Sequence, residues 1–586
     1  MTDLINEAFS QARELVMNAM GQLVAEGVFP AEAIPAFNIE IPADPKNGDV
    51  STNAAMVCAK PFRNAPRKIA EAIVEKLITE GSCFERAEVA GPGFINFFYA
   101  GSWYASVVKA VLADGKDYGR TELGKGKRAL VEFVSANPTG PMHIGNARGG
   151  AIGDCLAAVM EYAGYEVERE FYINDAGNQI EKFGKSLRLR YLQICSDEGQ
   201  AVVSKNLDMD AFCKTIYEDS ETFPMPEDVY LGMDIIAHAK NFFDEYGAVA
   251  SAQSEEECKN ALVEYALPKN IQGLHDDLAK YRIKYDTWFR ESTLHNDGSV
   301  AKVIEQLKAS GHTYEQDGAL WFRTTEFGDE KDRVLVRDNG IPTYFVPDIA
   351  YHYNKLAVRG FDKAIDIFGA DHHGYIPRLK AAMTALGVDE KKLDVVIMQM
   401  VRLVKDGETY KLSKRSGKAI TLNTLLEELP IDAARFFFNL REPNSQFDLD
   451  LDLAISNSSQ NPVYYVQYAH ARICSVIKKL NEEGVEAKPF TTEMAETLSA
   501  TEELELVKLM ATLPTVINEA AKAYDPAKVT KYAVDIATLY HKFYNACRIK
   551  GEPEDVMQAR LSLSLAVKQI ISNILSMLKI DCPESM

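Results

Sequence analysis

The sequence predicts an α/β protein whose parallel sheet is flanked by an N-terminal α+β domain and an all-α C-terminal domain. A strand, a loop, a helix and a second strand follow one another between residues 129 and 173. This βαβ order implies a parallel sheet with a right-handed crossover. Helical and β-like patterns alternate before residue 108, whereas the pattern after about Leu425 is helical throughout. At 586 residues the chain is too long for one hydrophobic core, so several domains are expected.

The N-terminal domain is expected to span residues 1–108. The spacing of its apolar residues predicts helices at Leu4–Gly27 and Arg67–Glu80 and strands at Phe37–Ile41 and Gly93–Tyr99. A polar, glycine-containing segment at residues 113–120 then reads as a linker.

The parallel sheet is assigned to residues 120–425. Its first two strands are predicted at Ala129–Val134 and Val167–Ile173, with a helix between them that ends at Gly164. Further strands of the same series are predicted at Arg333–Val336 and Ala364–Phe368.

A helical, acidic insertion at about residues 195–260 interrupts this series. The whole chain has 64 basic and 85 acidic residues and a net charge of −21. Residues 195–260 contain 15 acidic and 4 basic residues, a balance of −11, which is about half of the total excess. Because nucleic-acid binding needs local positive charge, we expect this insertion to face away from any RNA.

The C-terminal domain is expected to span residues 426–586. Its part from residue 457 onward has 14 basic and 16 acidic residues, and this near-neutral balance is compatible with a basic face. The predicted helices are Asp432–Asn439, Asn461–Leu480, Glu502–Tyr524, Pro526–Arg548 and Glu554–Leu578.

The nine cysteines indicate the compartment. They are scattered and form no Cys-x-x-Cys pair, which argues against a disulfide framework and a structural zinc site. A reducing, cytoplasmic location is therefore expected. No run of about 18 apolar residues is present, and the first residues do not resemble a secretory signal, so no membrane association is expected.

The segment Ser135–Gly150, S-A-N-P-T-G-P-M-H-I-G-N-A-R-G-G, joins the first predicted strand to its helix. In an open α/β sheet, ligands bind beyond the carboxyl ends of the strands. The N-terminus of the following helix would favour an anion there, and the glycines allow a close approach of the backbone. By itself, the His143-x-Gly145 pattern fits a structural loop with a surface histidine equally well.

A second segment, Lys411–Lys418, has the sequence K-L-S-K-R-S-G-K. Lys411 and Lys414, with Ser413 between them, have a spacing suited to contacting a polyphosphate as point charges. A solvated basic loop is the commoner explanation for such an octamer alone. The two segments in this order on a parallel sheet are much more specific.

Together these segments resemble the signatures of class I aminoacyl-tRNA synthetases. His143–Asn146 resembles their HIGH sequence and Lys411–Arg415 resembles their KMSKS loop. The chain is most similar to the arginyl-tRNA synthetase family, and the resemblance covers nearly the whole chain except the acidic insertion. The stretches that carry it are Gly48–Ala55, Gly91–Asn96, Val131–Asn146, Thr343–His352, Gly369–Gly374 and Asp432–Arg435, the last resembling the DALR signature.

This resemblance implies a Rossmann-like class I catalytic domain, an anticodon-binding C-terminal domain and an arginine–tRNA ligase activity. The substrates would be L-arginine, ATP with Mg²⁺, and tRNA(Arg), and a monomer is expected. His143, Lys411 and Lys414 would be catalytic, because the adenylation step mainly needs positioning and neutralisation of charge. The ATP-binding residues implied are Pro141, His143, Gly145, Asn146, Gly369, Asp371, Lys411, Ser413 and Lys414.

Selection of arginine requires carboxylates that match a planar guanidinium. Glu132 is a charged residue inside an apolar strand, and Tyr344 and Asp348 share one face of a helix start at i and i+4. A structural strand glutamate and an ordinary capping aspartate are the alternatives. The resemblance implies that these three residues face the arginine side chain, that Asn137 holds its α-amino or carboxylate end, and that His372 lies nearby. No metal-ligand set accompanies His372 and His373, and no metal site is expected.

Two positions depart from the family signatures. Asn146 replaces the second histidine of HIGH, and asparagine donates hydrogen bonds but carries no positive charge. Leu412 replaces the methionine of the lysine loop, a change of similar volume that should be mild.

Contacts with tRNA are expected in both terminal domains. Tyr464 and Tyr468 are candidates for stacking on anticodon bases, with Arg472 as a backbone contact, although such helical aromatic spacing more often marks a core. Asn53 and Phe94 lie in the N-terminal segments that match the family.

Two other functions remain as alternatives. One is a class I synthetase for a different amino acid, against which the absence of an editing-sized insertion and the acidic pocket residues count. The other is a catalytically silent, RNA-binding paralogue, against which the intact His143, Gly145, Lys411 and Lys414 count.

Overall fold

The computed structural model describes residues 3–218, 223, 225–410 and 421–586. The chain divides into two compact units. One consists of Met1–Leu123, Tyr162–Gly164 and Ser456–Met586, and the other of Gly124–Glu161 and Tyr165–Ile455. The division at Ser456, rather than at 426, leaves the Asp432–Arg435 segment in the second unit.

The N-terminal part of the first unit is an α+β structure, as predicted. A four-stranded antiparallel sheet has the order β1-β2-β4-β3. The strands β2 and β3 were not predicted, because β2 has three residues and charged side chains interrupt the apolar pattern of β3. The elements are α1 (Leu4–Ala25), β1 (Ile39–Glu40), β2 (Val50–Thr52), α2 (Ala54–Val57), α3 (Pro66–Lys76), β3 (Phe84–Ala90), β4 (Phe94–Tyr99) and α4 (Gly101–Asp114).

The second unit is built on a five-stranded parallel sheet of order β12-β11-β5-β6-β7. The chain leaves β5 toward β6 and β7 on one side and later returns to β11 and β12 on the other. The strands are β5 (Arg128–Glu132), β6 (Glu166–Ile173), β7 (Thr287–Arg290), β8 (Thr313–Gln316), β9 (Ala319–Phe322), β10 (Arg333–Val336), β11 (Lys363–Gly369), β12 (Leu393–Met398), β13 (Val401–Lys405), β14 (Glu408–Thr409) and β15 (Phe447–Asp450).

One predicted strand is present but belongs to a different sheet from the one that was predicted. The run Arg333–Val336 forms β10, which pairs antiparallel with β9 in a separate sheet of order β10-β9-β8. Its four residues give no periodic signal that separates a parallel from an antiparallel partner. The strands β7 and β12 of the parallel sheet were not predicted.

The helices of the second unit cover the sheet and include the predicted acidic insertion, which here consists of the helices between β6 and β7. Their bounds are α5 (Ile144–Tyr162), α6 (Asn178–Cys195), α7 (Asp197–Val203), α8 (Met209–Glu218), α9 (Met233–Tyr246), α10 (Glu255–Lys280), α11 (Glu291–Asn296), α12 (Ser299–Ala309), α13 (Phe345–Tyr353), α14 (Ile376–Ala385), α15 (Leu422–Glu428), α16 (Ile431–Phe438) and α17 (Leu451–Ile455).

The C-terminal part of the first unit is helical, as predicted. One predicted helix, Glu502–Tyr524, is interrupted at Thr512 and forms two helices. The elements are α18 (Pro462–Glu482), α19 (Thr492–Glu496), α20 (Thr501–Ala511), α21 (Leu513–Ala523), α22 (Ala527–Ala546) and α23 (Glu554–Met577). Among the residues that the structure describes, no helix combines the length and apolar character needed to cross a membrane.

Helix α5 lies unusually close to the sheet. A Cβ atom at Gly153 would come within 2.1 Å of the Phe133 ring, so only glycine permits this approach. The buried Asp154 of the same helix accepts a hydrogen bond from the buried Arg435 of α16, and Arg169 lies 3.3 Å from the other carboxylate oxygen. Arg435 also donates to the Tyr281 carbonyl at 3.0 Å. The arginine of the DALR-like segment therefore anchors α16 to α5.

We predict that Arg435→Met lowers the thermal midpoint of unfolding. It removes the main partner of a buried carboxylate, a change that typically costs about 3–5 kcal/mol. Arg402→Met is the matched control, because Arg402 also pairs with an aspartate, Asp448, but both side chains are exposed. Differential scanning fluorimetry should show a lower midpoint for Arg435→Met and an unchanged one for Arg402→Met. Equal midpoints in both variants would contradict the anchoring role.

Candidate active site

A cavity of about 710 Å³ lies beyond the carboxyl ends of β5, β6 and β7. This position beside the central strand β5, where the strand order reverses, is the place where open parallel sheets bind ligands. Its lining residues are Ser135, Ala136, Asn137, Thr139, Gly140, Pro141, His143, Asn146, Tyr172, Asn174, Tyr230, Leu231, Gly232, Asp234, Ile235, Glu291, Tyr344, Pro347, Asp348 and His372.

A strained turn directs the chain across the end of β5. Val134 and Ser135 have φ angles of 70° and 42°, which are unusual for residues other than glycine and especially for a β-branched one. Two hydrogen bonds hold the turn: Ser135 Oγ accepts from the Tyr172 backbone N–H at 3.1 Å, and the Tyr285 hydroxyl donates to the Phe133 carbonyl at 3.0 Å. Strain of this kind persists only where the surroundings impose it.

His143 stands at the start of helix α5 with its side chain exposed. The Asn146 side chain accepts a hydrogen bond from the His143 backbone N–H at 2.9 Å, and the His143 carbonyl accepts from the Asn146 N–H at 2.9 Å. The bond from the Asn146 side chain to the His143 N–H is the one that the third helical residue makes in a capping box. Asn146 therefore shapes the first helical turn, a role that needs no positive charge.

The lysine segment is followed in sequence by residues that contact the first turn of α5. Lys411, Ser413 and Lys414 lie outside the described residues. The next described residue, Thr421, forms a β-bridge with His143, and the Leu422 N–H donates to the Met142 carbonyl at 2.9 Å. The first described residues after this segment, Thr421 and Leu422, thus lie beside His143 and Met142.

Three carboxylates line the cavity, and they are Asp234, Glu291 and Asp348. Asp348 lies in the first turn of α13, as predicted, and Glu291 directly follows β7. Burial is the main cause that raises the pKa of Asp348 to about 6, and the negative charge of the nearby Glu291 acts in the same direction. The hydrogen bond that Asp348 accepts from Tyr375 acts in the opposite direction and lowers the pKa. Burial also raises the pKa of Glu291. In the described part of the chain, the cavity lining contains no lysine or arginine.

The lining contains Asn137, Pro141, His143 and Asn146 together with Tyr344, Asp348 and His372, as expected from the sequence. It does not contain Glu132, which is buried and bonded to Lys355. The interpretation of Glu132 as a pocket carboxylate is corrected here: its unusual charge is explained by an internal partner. Gly145, Gly369 and the exposed Asp371 also lie outside the lining, the last two at and after the end of β11.

The sequence interpretation missed Glu291, Tyr172 and the contribution of the predicted insertion to the cavity lining. Glu291 had a signal, because it follows a short aromatic run that is now seen as β7. The insertion contributes lining residues just before and at the start of α9, namely Tyr230, Leu231, Gly232, Asp234 and Ile235. Helix α10, which leads out of the insertion, contacts the β5 loop, where the Asn270 side chain donates to the Pro138 carbonyl at 2.9 Å.

The tRNA candidates lie in the first unit. On α18, the Tyr464 and Tyr468 rings stack with centroids 6.0 Å apart, and the Arg472 guanidinium lies 4.7 Å from the Tyr468 centroid. All three side chains are half-buried, so the row has an accessible face. Asn53 and Phe94 are also half-buried, and the Asn53 side chain accepts from the Asn38 N–H at 2.9 Å.

Comparisons with known proteins give family matches along nearly the whole chain. Residues 3–99 match the Arginyl tRNA synthetase N terminal domain, residues 107–477 match the catalytic domain of tRNA synthetases class I (R), and residues 466–586 match the DALR anticodon binding domain. The chain belongs to the arginyl-tRNA synthetase family. It is therefore a class I aminoacyl-tRNA synthetase, an enzyme of the ligase class, and the expected function of an arginine–tRNA ligase is confirmed at the level of the family.

The individual proteins that are similar to this chain carry names consistent with this family. An arginine–tRNA ligase of Caldanaerobacter subterraneus subsp. tengcongensis is 50% identical over 586 residues, which is 100% of both chains. One from Acetivibrio thermocellus is 46% identical over the same length. The solved arginyl-tRNA synthetase of Thermus thermophilus shares the fold, with a TM-score of 0.71 at 22% identity, covering 97% of this chain and 99% of that one.

We predict that Asp348→Asn raises the thermal midpoint at pH 7.5. The pKa of Asp348 is higher in the folded protein than its ordinary value of 3.8, so ionisation of this carboxylate destabilises the fold once the pH exceeds that value. Asparagine removes the charge and keeps an acceptor for Tyr375. Scanning fluorimetry at pH 7.5 and 4 should show a difference that shrinks at the lower pH. A lower midpoint for the variant at pH 7.5 would contradict this account.

Proposed function

We propose that this cavity activates L-arginine with ATP and that the chain transfers the arginyl group to the terminal adenosine of tRNA(Arg). The observation that carries the proposal is the pair Asp348 and Glu291. Two carboxylates that burial holds at raised pKa, in a lining without lysine or arginine among its described residues, favour a cationic ligand. A planar guanidinium satisfies two such acceptors better than an ammonium does.

The arginine would occupy the side of the cavity formed by α13 and the end of β7. Tyr344 lies one helical turn before Asp348, so both can contact the same side chain. Tyr172, on β6, supplies an aromatic wall between the two carboxylate-bearing elements. Asn137 is exposed on the β5 loop, where it can hold the α-amino or carboxylate end of the amino acid.

ATP would occupy the side formed by the β5 loop and the start of α5. The free N–H groups at this helix end favour an anion, and His143 with Lys411 and Lys414 would neutralise the phosphates. The bridge between His143 and Thr421 supports this arrangement, because Thr421 follows the lysine segment by only a few residues in sequence. Gly369, Asp371 and His372 would contact the nucleoside. Mg²⁺ would be held by the ATP phosphates, and Asp234, which lines the cavity, offers the oxygen ligand that this ion prefers.

The reaction would then have two steps. The arginine carboxylate attacks the α-phosphorus of ATP, forming arginyl-adenylate while the bond to pyrophosphate breaks. The 2′-hydroxyl of the terminal adenosine next attacks the arginyl carbonyl, forming the ester and releasing AMP. The protein supplies positioning and charge neutralisation, and no side chain acts as a nucleophile.

The terminal domains would bind the tRNA. Tyr464 and Tyr468 offer stacking faces and Arg472 a positive charge on α18, while Asn53 and Phe94 lie in the N-terminal domain that matches the family. We expect a cytoplasmic monomer.

We predict arginine-dependent ATP–pyrophosphate exchange, measured with each of the twenty amino acids and both with and without tRNA. Exchange should occur with arginine alone among them, because only its side chain fits the paired carboxylates. A control variant is Lys363→Met, which changes a half-buried lysine of β11 outside the cavity and should show the same exchange as the wild-type chain. Exchange with another amino acid would contradict the specificity, and no exchange under any condition would indicate a silent paralogue.

We predict that the KM for arginine rises as the pH falls through about 6. The guanidinium pairs with the ionised form of Asp348, and this carboxylate is increasingly protonated below its pKa of about 6. Steady-state exchange between pH 5 and 8 measures this change, and Asp348→Asn should have a higher KM with a flatter profile. A wild-type profile identical to that of Asp348→Asn would remove Asp348 from arginine recognition.

A further inference from the structure

Three buried carboxylates form a row across the parallel sheet. Asp366 of β11 is in register with Glu132 of β5, and Glu132 is in register with Glu170 of β6. Residues in register on neighbouring parallel strands point to the same face, and the strands lie about 4.8 Å apart. All three residues are at most 4% exposed. Three negative charges thus lie side by side within the protein interior.

One helical segment supplies the partners of this row. Lys355 donates to Glu132 and, at 2.8 Å, to Asp366. Tyr351 and Arg359 donate to Glu170 at 2.6 and 2.5 Å. Lys355 is fully buried, and burial alone would lower its pKa, but the charges of Asp366 and Glu132 outweigh burial and raise the pKa. The lysine is therefore held as a buried ammonium.

The same segment carries the arginine-pocket residue Asp348. The His352 ring joins the two sites, since Nδ1 lies 2.7 Å from the Asp348 carbonyl oxygen and Nε2 lies 2.7 Å from the Asp366 carboxylate. A π-helical turn at Asn354–Val358 then follows α13, and such turns are often found at functional sites.

Glu132, His352 and Asp366 also have the spacing of a metal site, with ligand atoms within 4.8 Å of one another. The Lys355 ammonium bonds to both of these carboxylates. Lys355 therefore supplies the positive charge that the carboxylates of Glu132 and Asp366 require.

We propose that Lys355 is a positioning residue for arginine recognition, which fixes α13 on the carboxylate row and thereby sets the place and the charge of Asp348. This inference rests on the proposed function and adds a residue that does not touch the substrate. Asp348 is faced by Tyr375, by His352 of its own helix, by Glu291 at the end of β7 and by Glu132 of β5. Removing the ammonium would leave Glu132 and Asp366 without their cation, and this excess negative charge would oppose ionisation of Asp348.

The test compares Lys355→Met, Lys355→Arg and the control Lys363→Met in the full-length chain, by exchange kinetics from pH 5 to 8. Lys363 lies on β11 and pairs with Asp394 at 2.6 Å, so its loss removes a lysine from the same sheet without touching the row. Lys355→Met should raise the KM for arginine by about 10- to 100-fold with an unchanged KM for ATP, because small displacements of a binding group are costly. The pH at which the KM for arginine rises should move upward. Lys355→Arg should recover part of both effects.

A folded Lys355→Met enzyme with wild-type KM and pH profile would overturn the inference. An equal rise in the KM for arginine and for ATP would also overturn it, since that indicates general disruption. If Lys355→Met does not fold, Glu132→Gln decides: loss of one negative charge from the row should move the inflection to lower pH, and an unmoved inflection would count against the proposal. Absence of arginine exchange in the wild-type chain would instead contradict the proposed function.

Discussion

The burial of carboxylates around a parallel sheet is the constraint on which the catalytic unit depends. Asp366, Glu132 and Glu170 are satisfied by Lys355, Arg359 and neighbouring donors. Asp348 and Glu291 belong to the same catalytic unit, but they face a cavity whose described lining contains no lysine or arginine. The first group fixes the fold because its charges are matched internally. In the proposed function the second group is left for a ligand, so structural acids and proposed ligand-binding acids differ in their partners and not in their residue type.

This distinction explains what the sequence could and could not predict. The βαβ unit, the loop from Ser135 to Gly150 and the helix start that carries Asp348 all depend on local periodicity, and the structure contains each of them. Glu132 attracted attention for a sound reason, a charge in an apolar strand, but its partner Lys355 lies 223 residues away. No local pattern reports such a pairing. Glu291 was missed because the four-residue strand before it is too short to stand out.

The acidic insertion shows the same limit. Its composition predicted helices and a face turned away from RNA, but composition does not indicate which few residues reach a cavity. The structure places Tyr230, Leu231, Gly232, Asp234 and Ile235 in the lining. Helix α10, which leads out of the acidic stretch, supports the β5 loop by a neutral amide contact from Asn270 to the Pro138 carbonyl.

The turn at Val134 places a β-branched residue where the backbone conformation favours glycine. A left-handed backbone normally favours glycine, yet valine occupies it and glycine occupies the facing helix position, where a Cβ at Gly150 would lie 3.4 Å from Val134 Cγ2. A reciprocal exchange of the two residues would conserve composition and volume. It would nevertheless relax the turn and crowd the helix, because a Cβ at position 150 would lie 2.7 Å from Ile283 Cδ1, so the direction of the loop depends on which of the two positions carries the side chain.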